Sequence, residues 1–125
     1  MADRPIQRIV PILPVGDLAR SIAYYCRLGF AAEPYDNGGE YAFLTRDSLE
    51  IHLRTARDLI EGQNPSGVYF YLKPGSAAAL EAEFRDAGVP ILSPLAIREW
   101  KMNEFVLSDP DGNLLRFGEN LSSAE

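Results

Sequence analysis

Along the chain, apolar and polar positions alternate, change to a spacing of three and four, then alternate again, and the whole cycle runs twice. Residues 8–15 alternate imperfectly and predict a first strand. Asp17 suits the N-cap of a following helix. Leu18, Ile22 and Tyr25 fall on one face of that helix, and Gly29 supplies a left-handed stop. Residues 35–39 read as a turn, with Asn37-Gly38 its strongest signal. Residues 41–46 and 49–54 predict two strands joined by a short polar turn at Asp47-Ser48. The first cycle is therefore strand, helix, then two or three strands.

Residues 55–66 are polar and turn-rich and read as a connector, in which Leu59 and Ile60 pin a short helical turn. The second cycle opens with the β-prone run 68–73. Ser76 can cap a second helix, which turns Leu80, Phe84 and Ala87 to its buried face and stops at Gly88. Pro90 and Pro94 make residues 89–95 an edge strand or a loop. Residues 104–107 and 114–118 predict strands joined by the tight turn Asp109-Pro110-Asp111-Gly112. The small, polar tail 120–125 is expected to fray.

The two cycles share residues as well as pattern. Leu13, Gly16, Ala19, Ala23, Tyr25 and Gly29 recur fifty-nine positions later as Leu72, Gly75, Ala78, Ala82, Phe84 and Gly88. Self-similarity at one fixed offset means two copies of one supersecondary unit. The predicted fold class is α+β: two βαβββ modules, about 5–56 and 66–120, joined by a connector at 57–65 within one domain, 1–125. Their curved mixed sheets leave a concave face, a natural small-molecule site.

Composition narrows the function. The 125 residues are 46% hydrophobic and 24% charged, which suits one soluble globular domain. No apolar run approaches the roughly 20 residues of a membrane span, and no apolar leader opens the sequence, so a cytoplasmic protein without membrane partners is expected. The net charge of −6 argues against nucleic acid and is compatible with a cationic partner. Cys26 stands alone, so no intramolecular disulfide forms; a buried or half-buried place on the first helix is expected for it.

VGDLARSIAYYCRLGF in the first module and FVLSDPDGNLLRFGE at the end resemble the vicinal oxygen chelate superfamily. That superfamily includes glyoxalase I, extradiol dioxygenases, fosfomycin-inactivating transferases and bleomycin resistance proteins, and the resemblance spans roughly residues 9–119. In its metalloenzymes, ligands stand on the first and last strands of each module. The matching positions here are Val10, then Gly67 or Val68, then Arg116. None of these can chelate, and Arg116 would repel a cation at short range. Only Glu50 and His52 offer donors, and one His beside one carboxylate is a poor metal site. No metal, cofactor or catalytic residue is expected, and hence no enzyme.

The aromatic residues suggest another use for the concave face. Tyr41 and Phe43 alternate with Ala42 and Leu44, Tyr69 and Tyr71 share a strand face opposite Phe70, and Trp100, Met102 and Phe105 precede the last hairpin. Tyr and Trp offer rigid area with a polar tip, suited to a flat polar ligand. This pattern resembles the bleomycin resistance branch. The resemblance implies aromatic binding positions at Tyr35, Tyr41, Tyr69 and Trp100, although Tyr stands where some relatives carry Phe or Trp. His52, Tyr71, Met102 and Phe105 complete the candidate ligand-binding set. Phe43, Phe70, Phe84 and Phe117 are expected in the core, and Tyr24 and Tyr25 are expected to pack. Arg116 is expected either to pair with Glu50 or Glu104 or to touch the ligand.

The function implied is metal-independent sequestration of bleomycin-type glycopeptides, which are cationic and carry a planar ring system. Drug resistance would follow without turnover. The resemblance also implies a homodimer with exchanged N-terminal strands. Two other readings remain open at this point: a metal-dependent enzyme of the same superfamily (a lyase, dioxygenase or thiol transferase), and a binder of another planar natural product.

Overall fold

Each cycle of the sequence folds as one module. The computed structural model describes residues 5–36, 39–59 and 66–121. The first module holds β1 (Ile12–Val15), α1 (Leu18–Arg27), β2 (Ala31–Pro34), β3 (Tyr41–Arg46) and β4 (Leu49–Thr55). The second holds β5 (Gly67–Leu72), α2 (Ala77–Asp86), β6 (Ser93–Ile97), β7 (Met102–Ser108) and β8 (Leu114–Asn120). The two sheets have matching orders, β1-β4-β3-β2 and β5-β8-β7-β6. In each, the first strand runs parallel to the last and the other pairings are antiparallel. The α+β class and the two βαβββ modules are thus as the sequence indicates. The expected turn at Asn37-Gly38, most of the connector and the end of the tail lie outside the described residues.

Local chemistry sets the element ends. Asp17 is extended, and its carboxylate accepts from the Arg20 N–H at 3.0 Å, capping α1. Asp47 and Ser48 both have positive φ, 52° and 72°. That turn geometry matches the twist of a two-residue hairpin between β3 and β4. β6 lies at the sheet edge with a register shift between Ser93 and Ala96, where a proline is tolerated.

Several expectations fail in instructive ways. Ser76 does not cap α2: its backbone is helical and its hydroxyl donates to the Lys73 carbonyl. The Ala77 N–H is satisfied instead by the Glu119 carboxylate at 2.7 Å, from the far end of β8. Ala87 is exposed at the helix C-cap, not on the buried face. Cys26 is exposed on the outer side of α1. The first strand, expected from residue 8, begins only at Ile12, and residues 5–11 take no regular secondary structure.

The helices cover one face of each sheet. Leu13, Val15, Ala42, Leu44, Ile51 and Leu53 pack beneath α1 with Tyr25 and Leu28, all at most 3% exposed. In the second module Phe84 of α2 meets Phe105 and Phe117, and Phe70 stacks on Phe117 at 4.5 Å. Phe30 and Phe70, 6.4 Å apart, join the two halves into one core. Truncating a ring as buried as Phe105 would cost about 3–5 kcal/mol. The shared core lies on the helix side of both sheets; on the opposite face Tyr41, Phe43 and Tyr71 keep exposed surface, while Met102, Glu104 and Val106 are buried. No helix among the described residues is long and apolar enough to cross a membrane.

Candidate functional site

Strand alternation turns Tyr41 and Phe43 of β3 and Glu50 and His52 of β4 to the open face of the first sheet. Phe43 and His52 are register partners, and so are Ile12 and His52. Four rings meet there edge to face: Phe43 with His52 at 4.8 Å, Tyr41 with His52 at 5.3 Å, Tyr41 with Phe43 at 5.6 Å and Tyr35 with Phe43 at 6.2 Å. Phe43 was expected in the core. It sits half-buried on this face instead, and its alternation with Tyr41 was the signal for it.

A hydrogen-bonded chain underlies these rings. The Tyr41 hydroxyl lies 2.7 Å from His52 Nδ1, and His52 Nε2 lies 2.5 Å from Glu50 Oε2. Arg8, from the segment before β1, donates to the other Glu50 oxygen. The bond from His52, followed by that from Arg8, holds the Glu50 carboxyl below its ordinary pKa. With Glu50 ionised, its Oε2 can only accept, so the bond to His52 is donated by Nε2.

The open face of the second sheet carries Tyr69 and Tyr71, whose rings are 4.8 Å apart. Tyr71 is 79% exposed, whereas the Tyr69 hydroxyl is buried. That hydroxyl crosses Gly118: a Cβ at position 118 would overlap it and would lie 3.1 Å from the Glu104 Cβ. Glu104, opposite Gly118 in the ladder, is 1% exposed. Its Oε1 lies 3.8 Å from Arg98 Nε, and Arg98 is also bonded to the Ser93 hydroxyl. The Tyr69 hydroxyl and Glu104 Oε2 have no hydrogen-bond partner. A buried polar atom left in that state costs about 1–3 kcal/mol. Burial first, and the neighbouring Glu104 carboxylate next, push the Tyr69 phenol up to about 12.

The remaining candidates divide. Met102 lies on the same strand face as Glu104 and is buried, and Trp100 is 58% exposed in the loop before β7. Phe105 points the other way, into the core against Phe84 and Phe117, so it does not share the open face. The cations beside Glu50 and Glu104 are Arg8 and Arg98, not Arg116. From the sequence, Glu104 is expected only as a pairing partner for Arg116. A lone carboxylate inside the apolar strand Met102–Ser108 was the signal that it is special.

Two aromatic groups therefore result, one on each open face. An open cleft of about 570 Å³ lies beside the second group and reaches the first only at Glu50. It is lined by Arg8 and Ile9, by Glu50 at the edge of the first group, and by Tyr69 and Tyr71 of the second. That volume suits a drug-sized ligand.

A divalent metal does not fit the donors present. Val10 precedes β1, and the β5 residue paired with Arg116 is Tyr69. Both ring nitrogens of His52 are already engaged, by Tyr41 and Glu50. Among the described residues, no three His, Cys, Asp or Glu side chains converge.

Comparison with known proteins agrees with this architecture. Residues 6–117 match the Glyoxalase/Bleomycin resistance protein/Dioxygenase superfamily. A bleomycin resistance protein of Geobacillus stearothermophilus is 31% identical, over 91% of this chain and 97% of its own. One from Staphylococcus aureus strain MRSA252 matches to the same extent. Among solved structures, a bleomycin-binding protein complexed with bleomycin has a TM-score of 0.79 at 24% identity, covering 92% of this chain and 99% of its own. A lactoylglutathione lyase from Agrobacterium tumefaciens scores 0.74 at 16% identity, covering 98% of this chain and 100% of its own. At these identities both structures speak to fold alone.

Proposed function

The chain belongs to the glyoxalase/bleomycin resistance protein/dioxygenase superfamily, and from that premise we propose that it binds bleomycin-type glycopeptides and sequesters them without metal or turnover. The observation that carries this reading is the pair of open aromatic faces. Tyr35, Tyr41 and Phe43 offer ring edges and faces on one, Tyr69 and Tyr71 do so on the other, and Trp100 is exposed in the loop before β7. A planar ring gains by stacking on such residues, and a cationic one gains further. The net charge of −6 raises the local concentration of a cationic drug. Curated relatives named bleomycin resistance protein support the ligand class.

A homodimer with exchanged N-terminal segments completes the proposal. At the offset of the repeat, residues 8–11 correspond to 67–70, which form most of β5. In the first module those positions lie outside β1, and Ile6 and Ile9 are 86% and 90% exposed. Exposed apolar side chains on a segment whose repeat counterpart is a strand favour pairing with a second copy. The partner's open face would then close each aromatic group into a crevice.

The test is a titration with bleomycin that follows the fluorescence of Trp100, the lone tryptophan. We expect saturable quenching with a submicromolar constant, which corresponds to more than about 8 kcal/mol. The drug should be recovered with unchanged mass. A folded protein that shows no response at micromolar drug overturns the proposal. Sedimentation equilibrium at the same concentrations should give twice the chain mass.

A further inference from the structure

We propose that the free edge of β5 takes an extended, amide-bearing stretch of a ligand as an added strand, held by main-chain hydrogen bonds to Tyr69 and Tyr71. The inference deepens the reading above by naming what the cleft recognises in a peptide-containing ligand, and it rests on that reading. Its starting point is an inequality among the sheet edges. One sheet ends in β1 and β2, the other in β5 and β6. Pro14 lies in β1, Pro34 in β2 and Pro94 in β6, which also carries a register shift. Prolines and bulges of this kind keep an edge from accepting a further strand. β5 is the longest of the four edge strands, with six residues, no proline, no charge and no shift in its pairing. An edge in that state is a template for another strand.

The free edge borders a space of the right kind. The Leu114 N–H donates to the Ser66 carbonyl where the parallel β5–β8 ladder starts. In such a ladder alternate residues bond the neighbour. Val68, Phe70 and Leu72 therefore face β8, while Tyr69 and Tyr71 turn N–H and C=O away from it. Among the described residues no other backbone bond reaches those four groups. Residues 68–71 form one wall of the cleft of about 570 Å³, and residues 8–11 form another. That segment of the same chain is not the missing strand. Its Pro11 carbonyl accepts from the His52 N–H and its Arg8 bonds Glu50, which hold it against β4. Charge points to a neutral occupant. The one cation and one anion of the lining, Arg8 and Glu50, already pair with each other, and the rest is apolar or neutral. An ionic group finds no free counter-charge there. A backbone amide stretch brings both a donor and an acceptor to Tyr69 and Tyr71, the mode by which peptides add to sheet edges.

Two probes test this on the full-length protein: acetyl-trialanine N-methylamide, and the same peptide with its alanine nitrogens methylated. Exchange of the backbone amides of residues 68–71 is followed by NMR. At saturation the first peptide should slow exchange at Tyr69 and Tyr71 about tenfold, the usual worth of one hydrogen bond. Val68 and Phe70, which bond β8, should not change. The methylated peptide, stripped of donors, should bind about tenfold more weakly or worse. Tyr71→Pro removes an N–H from the free edge and spares the β8 pairing, so it should weaken the first peptide beyond Tyr71→Ala, which loses the ring alone. Should the proline variant fail to fold, the methylated peptide decides the matter without a substitution. No slowing, an equal effect on all four amides, or equal binding of the methylated peptide overturns the proposal. So does protection of Tyr69 and Tyr71 in the ligand-free protein that is lost on dilution, because a second copy then fills the edge. Bleomycin is titrated in parallel. If it fails to bind while the peptide protects Tyr69 and Tyr71, the proposed function falls and the edge site stands. If bleomycin quenches Trp100 and the peptide is inert, the edge site alone falls.

Discussion

The Tyr25 hydroxyl donates to the Asp109 carboxylate at 2.7 Å and thereby ties the helix of the first module to the last turn of the second. Asp109 also accepts from the backbone N–H groups of Asp111 and Asn113 and from the Asn113 side-chain amide, and that amide donates in turn to the Pro14 carbonyl. Burial and the adjacent carboxylate drive the Tyr25 phenol far above its ordinary pKa, so it remains a donor throughout the working pH range. Tyr25→Phe removes one donor from a buried carboxylate and should cost about 1–3 kcal/mol. Asp109→Ala strands several donors at once and should cost at least the upper end of that range, about 3 kcal/mol. Urea unfolding of the two variants checks this. Equal costs would mean that the Tyr25 hydroxyl alone, and not the wider Asp109 network, carries the link between the modules.

Glu119 makes a similar link at the other helix. Its carboxylate is 9% exposed and accepts from the first N–H of α2, where negative charge also meets the positive end of the helix dipole. Glu119→Gln keeps the acceptor and loses the charge, so about 0.5 kcal/mol should go. Glu119→Ala loses both and should cost about 1 kcal/mol or more. Amide exchange of residues 77–80 should rise in the alanine variant before global stability falls. Ser76→Ala, at the position that local sequence marks as the cap, should leave that exchange unchanged.

Ser76 and Glu119 show where sequence reading stops. The order of elements, the helix limits and the face on which Tyr69 and Tyr71 lie all follow from periodicity and the fifty-nine-residue repeat, because those signals are local. The Glu119 cap joins positions forty-two residues apart, and no local pattern encodes that distance. Phe43 was misplaced for another reason. Its hydrophobicity favours the core, but its parity with Tyr41 fixes the open face, and in a strand parity wins. Phe105 fails the same test in reverse: it sits one residue from Glu104 and so faces the core. The isolation of Glu104 and the Tyr69 hydroxyl was beyond reach, since it depends on three strands meeting over Gly118.

Gly118→Ala should act on Tyr69 before anything else. The new methyl group would overlap the phenolic oxygen, so the ring must swing toward solvent. The burial that raises the Tyr69 pKa would then diminish, and its value should drop from about 12 toward the ordinary 10. Glu104→Gln should lower it too, by removing the nearby negative charge, but by less, because burial is the larger cause. The folded state holds this proton more tightly than the unfolded chain. Its contribution to stability is therefore full below pH 10 and is lost as pH rises through about 12. NMR of ring-labelled tyrosine, read against Tyr69→Phe to assign the resonance, checks both shifts. An unchanged Tyr69 titration in Gly118→Ala would mean that the backbone yields instead.

The Arg8–Glu50–His52 chain should make the N-terminal segment sensitive to acid. Glu50 has a folded pKa below the ordinary carboxylate value, so its contribution is present above about pH 4.3 and is lost as pH falls through the folded value. Arg8 and Glu50 are partly exposed and their attraction is screened by solvent, so global unfolding should move little. Local opening of the segment should move more. The Pro11 carbonyl accepts from the His52 N–H, a backbone bond next to the same site. Exchange of the His52 amide, the donor to Pro11, should be slow and flat from pH 7 to pH 5, after correction for intrinsic rates, and should accelerate below about pH 4. Glu50→Gln should show the accelerated His52 exchange already at pH 7, while the other amides of β3 and β4 stay protected. If Glu50→Gln leaves the segment as protected as before, the backbone bond at Pro11 is what holds it, and the ion pair is incidental.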